Sequence, residues 1–356
     1  MVPASGSPSR RPRRLRRCGG GLLVAATAST LAVVVPGATA QAGTLPTRPY
    51  IVSRDASGAI ASEFANFSDL SGNGRFVVFV AKAPMVPGDG NAKADVYLKD
   101  RWSGSIERVS VSSSGVEADG DNGFPSISDD GNRIAFQSQA TNLGGTNALG
   151  FADIYVRDRK AGTTTRASVS TTGGELGAAS GRPKISGNGR FVTFDTAAAN
   201  AVPSDGNGTS DVFLRDLQTS TTDRVSVTSS ELQSSVGSLS GAVSDDGRFV
   251  AFTSGEELAG GQAGDSAIDV YVRDRTAGTT VNAHVSSAEA VAIGGNGGPP
   301  EISGNGQYVV FSSAATNLVA SDTNGVNDVF RRDLVNGVTT RVSLHDADTQ
   351  LAKDSY

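Results

Sequence analysis

Residues 71–79 read SGNGRFVVF and join a tight turn to an apolar strand. The pair Asn73-Gly74 accepts the positive φ angles that close a two-stranded hairpin. The run from Phe76 to Phe79 is apolar or aromatic at every position, which is typical of a strand buried on both faces. The segment therefore predicts a hairpin whose second strand lies inside a core.

The same segment occurs five times along the chain at a nearly constant period. The other copies are SDDGNRIAF (128–136), SGNGRFVTF (186–194), SDDGRFVAF (244–252) and SGNGQYVVF (303–311). The turn glycines are separated by 57, 58, 58 and 59 residues, and they are Gly74, Gly131, Gly189, Gly247 and Gly306. A fixed period of this length indicates a repeat architecture.

Each copy is followed by two further strand-like strings. The first reads DVYLKD, DIYVRD, DVFLRD, DVYVRD and DVFRRD, and the second reads ERVSVS, TRASVS, DRVSVT, VNAHVS and TRVSLH. Both strings are short and rich in β-branched and aromatic residues, and short turns separate them. With a short strand that leads into the glycine turn, each repeat holds four strands, named a, b, c and d in chain order.

Four-stranded units with apolar faces predict an all-β fold. Stacking such units around an axis covers both faces of each sheet and shields most edges. We therefore predict a β-propeller of five four-stranded blades. The string IVSRD (51–55) resembles an additional d strand ahead of the first repeat, so an incomplete six-bladed propeller is the alternative.

Two recurrent motifs, S-x-[DN]-G-x-x-[VI]-x-F and D-[VI]-[YF]-x-[RK]-D, resemble the TolB-like or WD-like β-propeller repeat of secreted bacterial proteins. The resemblance covers about residues 51–345, which include all five repeats. It implies the propeller fold but no particular activity, because propellers carry unrelated functions.

Residues 1–40 have the three parts of a secretory signal peptide. A basic stretch (RRPRRLRR, 10–17) precedes an apolar stretch too short to span a bilayer, and Ala38-Thr39-Ala40 suits cleavage. We therefore divide the chain into a signal peptide (1–40), a linker (41–49), the β-propeller (50–345) and a C-terminal tail (346–356). A secreted protein, extracellular or periplasmic, is expected.

The charge of the chain excludes some partners. The formal net charge is −5, and removal of residues 1–40 with their six arginines lowers it to −11. Such an acidic surface argues against nucleic acid as a partner. No second long apolar run follows residue 40, so no membrane span is expected.

Three of the loops between strands b and c repeat the pattern Asp-x-Asn-x-x-x-Asp. The residues are Asp89, Asn91 and Asp95; Asp205, Asn207 and Asp211; and Asp322, Asn324 and Asp328. Oxygen ligands at alternating positions suit calcium, but the distal glutamate of a calcium loop is missing. The last aspartate recurs in all five repeats, including the two in which the rest of the pattern is broken. The alternative is therefore a structural role, in which the aspartate accepts backbone hydrogen bonds at the loop.

The sequence gives little support for catalysis. The aspartate that ends strand c and the arginine that opens strand d are expected to form ion pairs, namely Asp100–Arg108, Asp158–Arg166, Asp216–Arg224 and Asp333–Arg341. The two histidines, His284 and His345, lie on different repeats, and no G-x-S-x-G motif is present. The alternative is an extracellular polysaccharide hydrolase or lyase with carboxylates in the central channel, where Glu301 is the candidate.

The long connections point to one binding face. The b–c and d–a connections emerge on the same side of an antiparallel blade, and most of the variation between repeats lies in them. A rigid scaffold that presents variable loops is the usual layout of a binding surface. We therefore expect a secreted, non-enzymatic binding or scaffold module that holds a protein or a cell-wall glycan on this face.

Overall fold

A computed structural model describes residues 51–61, 65–145, 147–260 and 267–344, together with residues 351, 354 and 355. Within these residues the chain forms twenty β-strands. No helix in this part of the chain is long and apolar enough to cross a membrane. The predicted signal peptide and linker lie outside the described residues, as does His345.

The strands form five antiparallel sheets, each built from four strands that are consecutive in the chain. Blade 1 contains β1 (Ala65–Leu70), β2 (Phe76–Ala81), β3 (Asp95–Asp100) and β4 (Ile106–Arg108). Blade 2 contains β5 (Asn122–Ile127), β6 (Arg133–Ser138), β7 (Asp153–Asp158) and β8 (Thr163–Arg166). Blade 3 contains β9 (Ser180–Ile185), β10 (Phe191–Thr196), β11 (Asp211–Asp216) and β12 (Thr221–Arg224). Blade 4 contains β13 (Ser238–Val243), β14 (Phe249–Ser254), β15 (Asp269–Asp274) and β16 (Thr279–Asn282). Blade 5 contains β17 (Glu301–Ile302), β18 (Tyr308–Ser313), β19 (Asp328–Asp333) and β20 (Val338–Arg341).

The arrangement of the sheets is radial. The first strands of successive blades contact each other. Lys184 on β9 forms an ion pair with Glu301 on β17, so this pair bridges blades 3 and 5 past blade 4. A contact that skips one blade requires the first strands to curve around a common axis. The predicted five-bladed β-propeller is therefore confirmed, with strand a of each blade innermost.

Strands b and c form the core of every blade. One aromatic ring from each packs against the other, with centroids 5.8 to 6.2 Å apart. The pairs are Phe79–Tyr97, Phe136–Tyr155, Phe194–Phe213, Phe252–Tyr271 and Phe311–Phe330. All ten rings are buried, as the recurrence of phenylalanine in strand b predicts, and burial of each contributes roughly 1.5–3 kcal/mol.

Neighbouring blades are joined by apolar clusters. Val78 and Leu98 of blade 1, for example, pack with Ile134, Phe136 and Tyr155 of blade 2. Equivalent clusters join blades 2 and 3, blades 3 and 4, and blades 4 and 5. The two faces of strands b and c are thus covered by different blades, which explains why strand b is apolar without alternation.

The predicted ion pairs between strands c and d are wrong. The register places Arg108 opposite Tyr97 instead of Asp100, and the other three arginines lie in the same register on their strands. Asp100 instead binds Arg75, which precedes strand b, at 2.6 Å. Blades 2, 3 and 4 repeat this pair as Arg133–Asp158, Arg190–Asp216 and Arg248–Asp274, and blade 5 has Gln307–Asp333.

A glycine turn between strands a and b makes a close interblade contact. Gly247 has a φ of +71°, and a Cβ atom there would lie 2.5 Å from Cε2 of Phe191 in blade 3. Gly278 has a φ of +69°, yet the nearest atom to its Cβ position, Oε1 of Glu231, is 3.8 Å away. The two glycines therefore share a backbone conformation and differ in available space.

We expect Gly247→Ala to lower the free energy of unfolding by about 2–5 kcal/mol, because left-handed strain and a clash with Phe191 add up. Gly278→Ala carries only the strain and should cost about 1–2 kcal/mol. Urea unfolding of both variants and the wild type measures the difference. Equal losses in the two variants would show that the contact with Phe191 has no role.

Candidate binding site around the central channel

Strand a carries a bulge that holds four side chains in a strained conformation. The pairing between strands a and b shifts by one residue in blades 1 to 4. The residues at the shift have positive φ angles of 46°, 48°, 47° and 59°, and they are Phe67, Phe124, Arg182 and Ser240. Such a conformation costs about 1–3 kcal/mol for a residue with a side chain, and it is found most often at binding and catalytic sites.

Two of these residues form an exposed aromatic pair. The rings of Phe67 and Phe124 lie 4.3 Å apart between centroids, on the innermost strands of blades 1 and 2. Phe67 is 47% exposed and Phe124 is 39% exposed, whereas the ten core rings of strands b and c are buried. An aromatic pair that remains open to solvent near the axis offers an apolar contact surface to a ligand.

Charged side chains lie two residues beyond the bulge. This position holds Asp69 in blade 1, Lys184 in blade 3 and Glu301 in blade 5. Lys184 binds Glu301, and one oxygen of Asp69 accepts a hydrogen bond of 3.0 Å from the backbone N–H of Ile127. Burial lowers the pKa of Lys184, but the carboxylates of Glu301 and Asp69 outweigh it and raise the pKa above its usual value.

A second ion pair lies beside the bulge in blade 3. Nη1 of Arg182 donates to Oδ2 of Asp195 at 2.5 Å. Asp195 is buried, and burial raises the pKa of its carboxyl although Arg182 opposes the shift. The side chain of Arg182 is 47% exposed, so its free N–H groups remain available to a ligand. We name Phe67, Phe124, Arg182, Lys184 and Glu301, together with Asp69, the channel site.

The sequence predicted only Glu301 from this set. The other residues can be found by aligning strand a of the repeats. The bulge position then reads Phe, Phe, Arg and Ser in blades 1 to 4, and the later position reads Asp69, Ser126, Lys184, Ala242 and Glu301 across the five blades. The bulge position holds three residue types in four blades and the later position five types in five, whereas strands b and c repeat. This variation in an innermost strand was the available signal.

The residues predicted to bind calcium form clusters around an arginine of strand d. In blade 1, carboxylate oxygens of Asp89, Asp95 and Glu117 lie within 4.8 Å of one another. Nη1 of Arg108 is 2.5 Å from Glu117 and 3.8 Å from both aspartates. The hydroxyl of Tyr97 also donates to Asp89.

Blades 3 and 5 repeat the cluster with fewer carboxylates. Arg224 lies 3.3 Å from Asp205 and 3.7 Å from Asp211. Arg341 lies 3.5 Å from Asp322 and 3.2 Å from Asp328. In blade 3 the place of Glu117 is taken by Gln233, which donates to Asp205 at 3.0 Å.

The three asparagines of the pattern shape the loops. Each side-chain oxygen accepts a backbone N–H two residues later, at 2.7 Å for Asn91, 3.0 Å for Asn207 and 3.2 Å for Asn324. Each side-chain nitrogen donates to a carbonyl about 27 residues later in the chain. These are Asx turns. The geometry favours the guanidinium as the cation of each carboxylate cluster, and calcium stays a prediction.

The last aspartate of the pattern binds a hydroxyl instead of the backbone groups that were expected. Oδ1 of Asp95 accepts from Oγ of Ser110 at 2.5 Å, and the same hydroxyl oxygen accepts the N–H of Val96 at 3.1 Å. Blades 2, 3 and 5 repeat the bond as Asp153–Ser168, Asp211–Ser226 and Asp328–Ser343. The aspartate therefore anchors the start of strand c to strand d in each of these blades.

In blade 4 a histidine replaces the serine and creates an Asp-His-Ser array. Nδ1 of His284 is 2.7 Å from Asp269, and Nε2 is 2.8 Å from Oγ of Ser313 on β18. His284 and Ser313 are fully buried. A serine without solvent access cannot reach a substrate, so the array links blade 4 to blade 5 and does not form a catalytic triad.

A cleft of about 650 Å³ lies between blades 3 and 4. Four arginines line it, and each of them binds a carboxylate. The pairs are Arg224–Asp205, Arg248–Asp274, Arg273–Glu231 and Arg275–Asp223. Because their charges are compensated within the protein, the cleft is a weaker candidate for a ligand than the channel site.

No family model and no curated protein sequence matches the chain. Solved structures with similar folds include TolB from Acinetobacter baumannii, with 16% identity and a TM-score of 0.49 over 88% of this chain and 59% of that one. The β-propeller domain of the Trilobed protease from Pyrococcus furiosus, described as having an open velcro topology, has 12% identity and a TM-score of 0.47 over 79% and 72%. A nidogen/laminin complex has 8% identity and a TM-score of 0.49 over 93% and 96%.

The likeness is one of fold. The chain spans about 59% of the length of the Acinetobacter TolB. The propeller architecture itself rests on the five sheets and their radial contacts.

We expect calcium to leave the wild-type melting temperature unchanged, because Arg108 already neutralises the blade 1 cluster. Arg108→Met should lower stability by about 3–5 kcal/mol, since it leaves buried carboxylates without a partner. Millimolar calcium should restore part of that loss. The matched variant Arg166→Met, at an arginine that forms ion pairs with Asp153 and Glu175, should respond less. A calcium-dependent rise in the wild type would establish the predicted site instead.

The blade 1 cluster should also make stability depend on pH. Burial, with help from the charges of Asp89 and Glu117, raises the pKa of Asp95 from 3.8 to about 7. Between these values the folded protein holds a proton that the unfolded chain releases, so the free energy of unfolding falls as pH rises through this window.

Asp95→Asn should therefore flatten the decline between about pH 4 and about pH 7, by about 2 kcal/mol. Asp211→Asn is the control. Asp211 is also buried, but it has one neighbouring carboxylate fewer than Asp95, so this variant should change the pH profile less. Urea unfolding across this range compares the three proteins. A wild-type stability that increases through neutral pH would contradict the raised pKa of Asp95.

Proposed function

We propose that the protein is a secreted binding module that holds a glycan chain at the channel site. The observation that carries this proposal is the exposed Phe67–Phe124 pair, which is held at positive φ angles on the innermost strands of blades 1 and 2. Secretion is supported by the signal-peptide features of residues 1–40. A cell-wall or other extracellular polysaccharide is then an accessible ligand.

A glycan suits the chemistry of the channel site. The C–H faces of a sugar ring pack on aromatic rings, and its hydroxyls accept and donate hydrogen bonds. Arg182 and Lys184 supply donors beside the rings, and Asp69 and Glu301 supply acceptors. Few charged groups around an apolar platform are the usual composition of a small-ligand site.

Binding is favoured over hydrolysis by the placement of Lys184. A glycosidase uses two carboxyl groups on either side of the scissile bond, one of which must donate a proton. Here the side chain of Glu301 is held in an ion pair with Lys184, so a lysine and not a second carboxyl group faces it. The polysaccharide hydrolase or lyase is the alternative that the same experiment tests.

The experiment measures binding of the chain to a panel of soluble and insoluble polysaccharides by calorimetry and co-sedimentation. The double variant Phe67→Ala/Phe124→Ala should weaken binding by about tenfold or more, since each aromatic contact contributes about 1 kcal/mol. Val335→Ala is the control, because Val335 is 74% exposed and lies in the turn between strands c and d of blade 5, away from the innermost strands. Binding that is equal in all three proteins would overturn the assignment of the channel site.

The same incubations are assayed for new reducing ends. We expect none. Reducing ends that appear with the wild type and disappear with Glu301→Gln or Asp69→Asn would support the hydrolase. Capture of a protein instead of a polysaccharide, through the same two phenylalanines, would retain the site and replace the ligand class.

A further inference from the structure

The a–b turns alternate between glycine and aspartate at their second position. The five turns carry Gly72, Asp129, Gly187, Asp245 and Gly304. A Cβ atom on Gly72 would lie 2.6 Å from Cγ of Asp129, and one on Gly187 would lie 2.5 Å from Oδ2 of Asp129. Cβ atoms on Gly187 and Gly304 would also collide with Asp245. Each aspartate thus fills the space over the glycines of both neighbouring blades.

An alternation of this kind closes into a ring only with an even number of blades. The a–b turns of blades 1 and 5 both carry glycine at this position. Among the residues described, Gly72 meets an aspartate turn only from blade 2, and Gly304 only from blade 4. The Asp245 carboxylate also accepts the backbone N–H of Gly187 at 2.9 Å. A sixth turn between Gly304 and Gly72 would therefore be expected to carry aspartate.

In the part of the chain that the structure describes, a second interblade contact is missing between blades 5 and 1. At three junctions an aromatic ring that opens strand b lies under the turn glycine of the next blade, as Phe76 under Gly131, Phe191 under Gly247 and Phe249 under Gly306. The corresponding ring of blade 5 is Tyr308, which packs with Arg331 of its own blade. Gly74 of blade 1 meets only Arg101 of its own blade.

The apolar clusters show the same break. Among the described residues, four clusters join successive blades, and the fifth joins blade 1 to Val52 and Ala61 without any residue of blade 5. Val342 of blade 5 is 48% exposed, although the equivalent Val109 and Val225 are 1% exposed. Within the described ranges, therefore, no apolar cluster covers the flank of blade 5 that faces away from blade 4.

Described segments at both ends of the propeller repeat contacts that elsewhere join one blade to the next. Arg54 pairs with Ile60 in an isolated bridge that repeats Val111–Glu117 of the next connection. At the other end, the N–H of Ser355 donates to the carbonyl of Asn327 at 2.7 Å. The N–H groups of Asn122, Ser180 and Ser238, which each start a strand a, donate to the preceding blade in the same way.

The uncovered flank carries a positive charge at its centre. Strand c has a buried aliphatic residue at one position in blades 1 to 4, namely Leu98, Val156, Leu214 and Val272. Blade 5 has the exposed Arg331 there. A partner that covers this flank must therefore supply an acidic group as well as apolar residues.

We propose that the space beside blade 5, between blades 5 and 1, is a strand-accepting site for an acidic β-hairpin of another protein chain. The hairpin places an S-D-x-G turn between Gly304 and Gly72, and it covers Val342 and Arg331. Strand addition of this kind gains affinity from backbone hydrogen bonds and selectivity from alternate side chains.

The probe is a synthetic peptide of residues 240–260, SGAVSDDGRFVAFTSGEELAG, which has the required turn and an acidic net charge. Binding to the full chain is measured by calorimetry and by the shift in melting temperature. We expect saturable binding and a higher melting temperature. A peptide with Asp245→Ala should bind about tenfold more weakly, because it loses the turn contact.

Two variants of the protein test the location. Arg331→Glu and Val342→Lys change exposed side chains, so both should fold, which circular dichroism checks. Each should weaken peptide binding by about tenfold. Leu232→Ala, at a residue that is 64% exposed on the loop between blades 3 and 4, is the control and should bind normally.

The proposal is overturned if the peptide does not bind, or if it binds equally to the wild type and to both flank variants. Sedimentation of the protein alone tests for a second copy on this flank. Dimers that Arg331→Glu dissociates would identify the occupant as another copy of the chain and would also overturn the acidic hairpin. Loss of glycan binding has no bearing on these outcomes, because the channel site and the flank share no residue.

Discussion

Burial of strands b and c on both faces is the constraint from which the architecture follows. A single blade leaves the apolar side chains of both faces in water, and neighbouring blades of the same shape cover them. The cluster of Val78 and Leu98 with Phe136 is one instance, and it recurs at each junction from blade 1 to blade 5. Positions in these strands therefore repeat, because each must fit two neighbours at once.

Polar groups then fix how each blade is closed at its loops. The last aspartate of the b–c loop holds a serine hydroxyl of strand d with one oxygen, and the other oxygen faces the arginine of the same strand. Buried carboxylates require such partners, because an isolated charge in the interior is costly. The aspartate pattern that suggests a cation site in the sequence thus acquires a cation from within the protein.

The repeat period and the turn chemistry were sufficient to predict the fold, its strands and the number of blades. Local sequence could not give the register between strands c and d, and so Arg108 was assigned to Asp100 instead of the carboxylates around Asp95. The channel site was missed for a different reason. Neither the residue type nor the apolar periodicity predicts a bulge with positive φ at Phe67. Only alignment of the innermost strands reveals the position.

The alternating turns limit how such a propeller can change in size. Insertion or removal of one blade would set two aspartate turns against each other, with their carboxylates competing for one space, or would leave two glycine turns in contact with nothing between them. Insertion or removal of two blades preserves every neighbour relationship. The unit of growth for this architecture is therefore a pair of unlike blades, and duplication of a pair is the genetic event that the turn sequences favour.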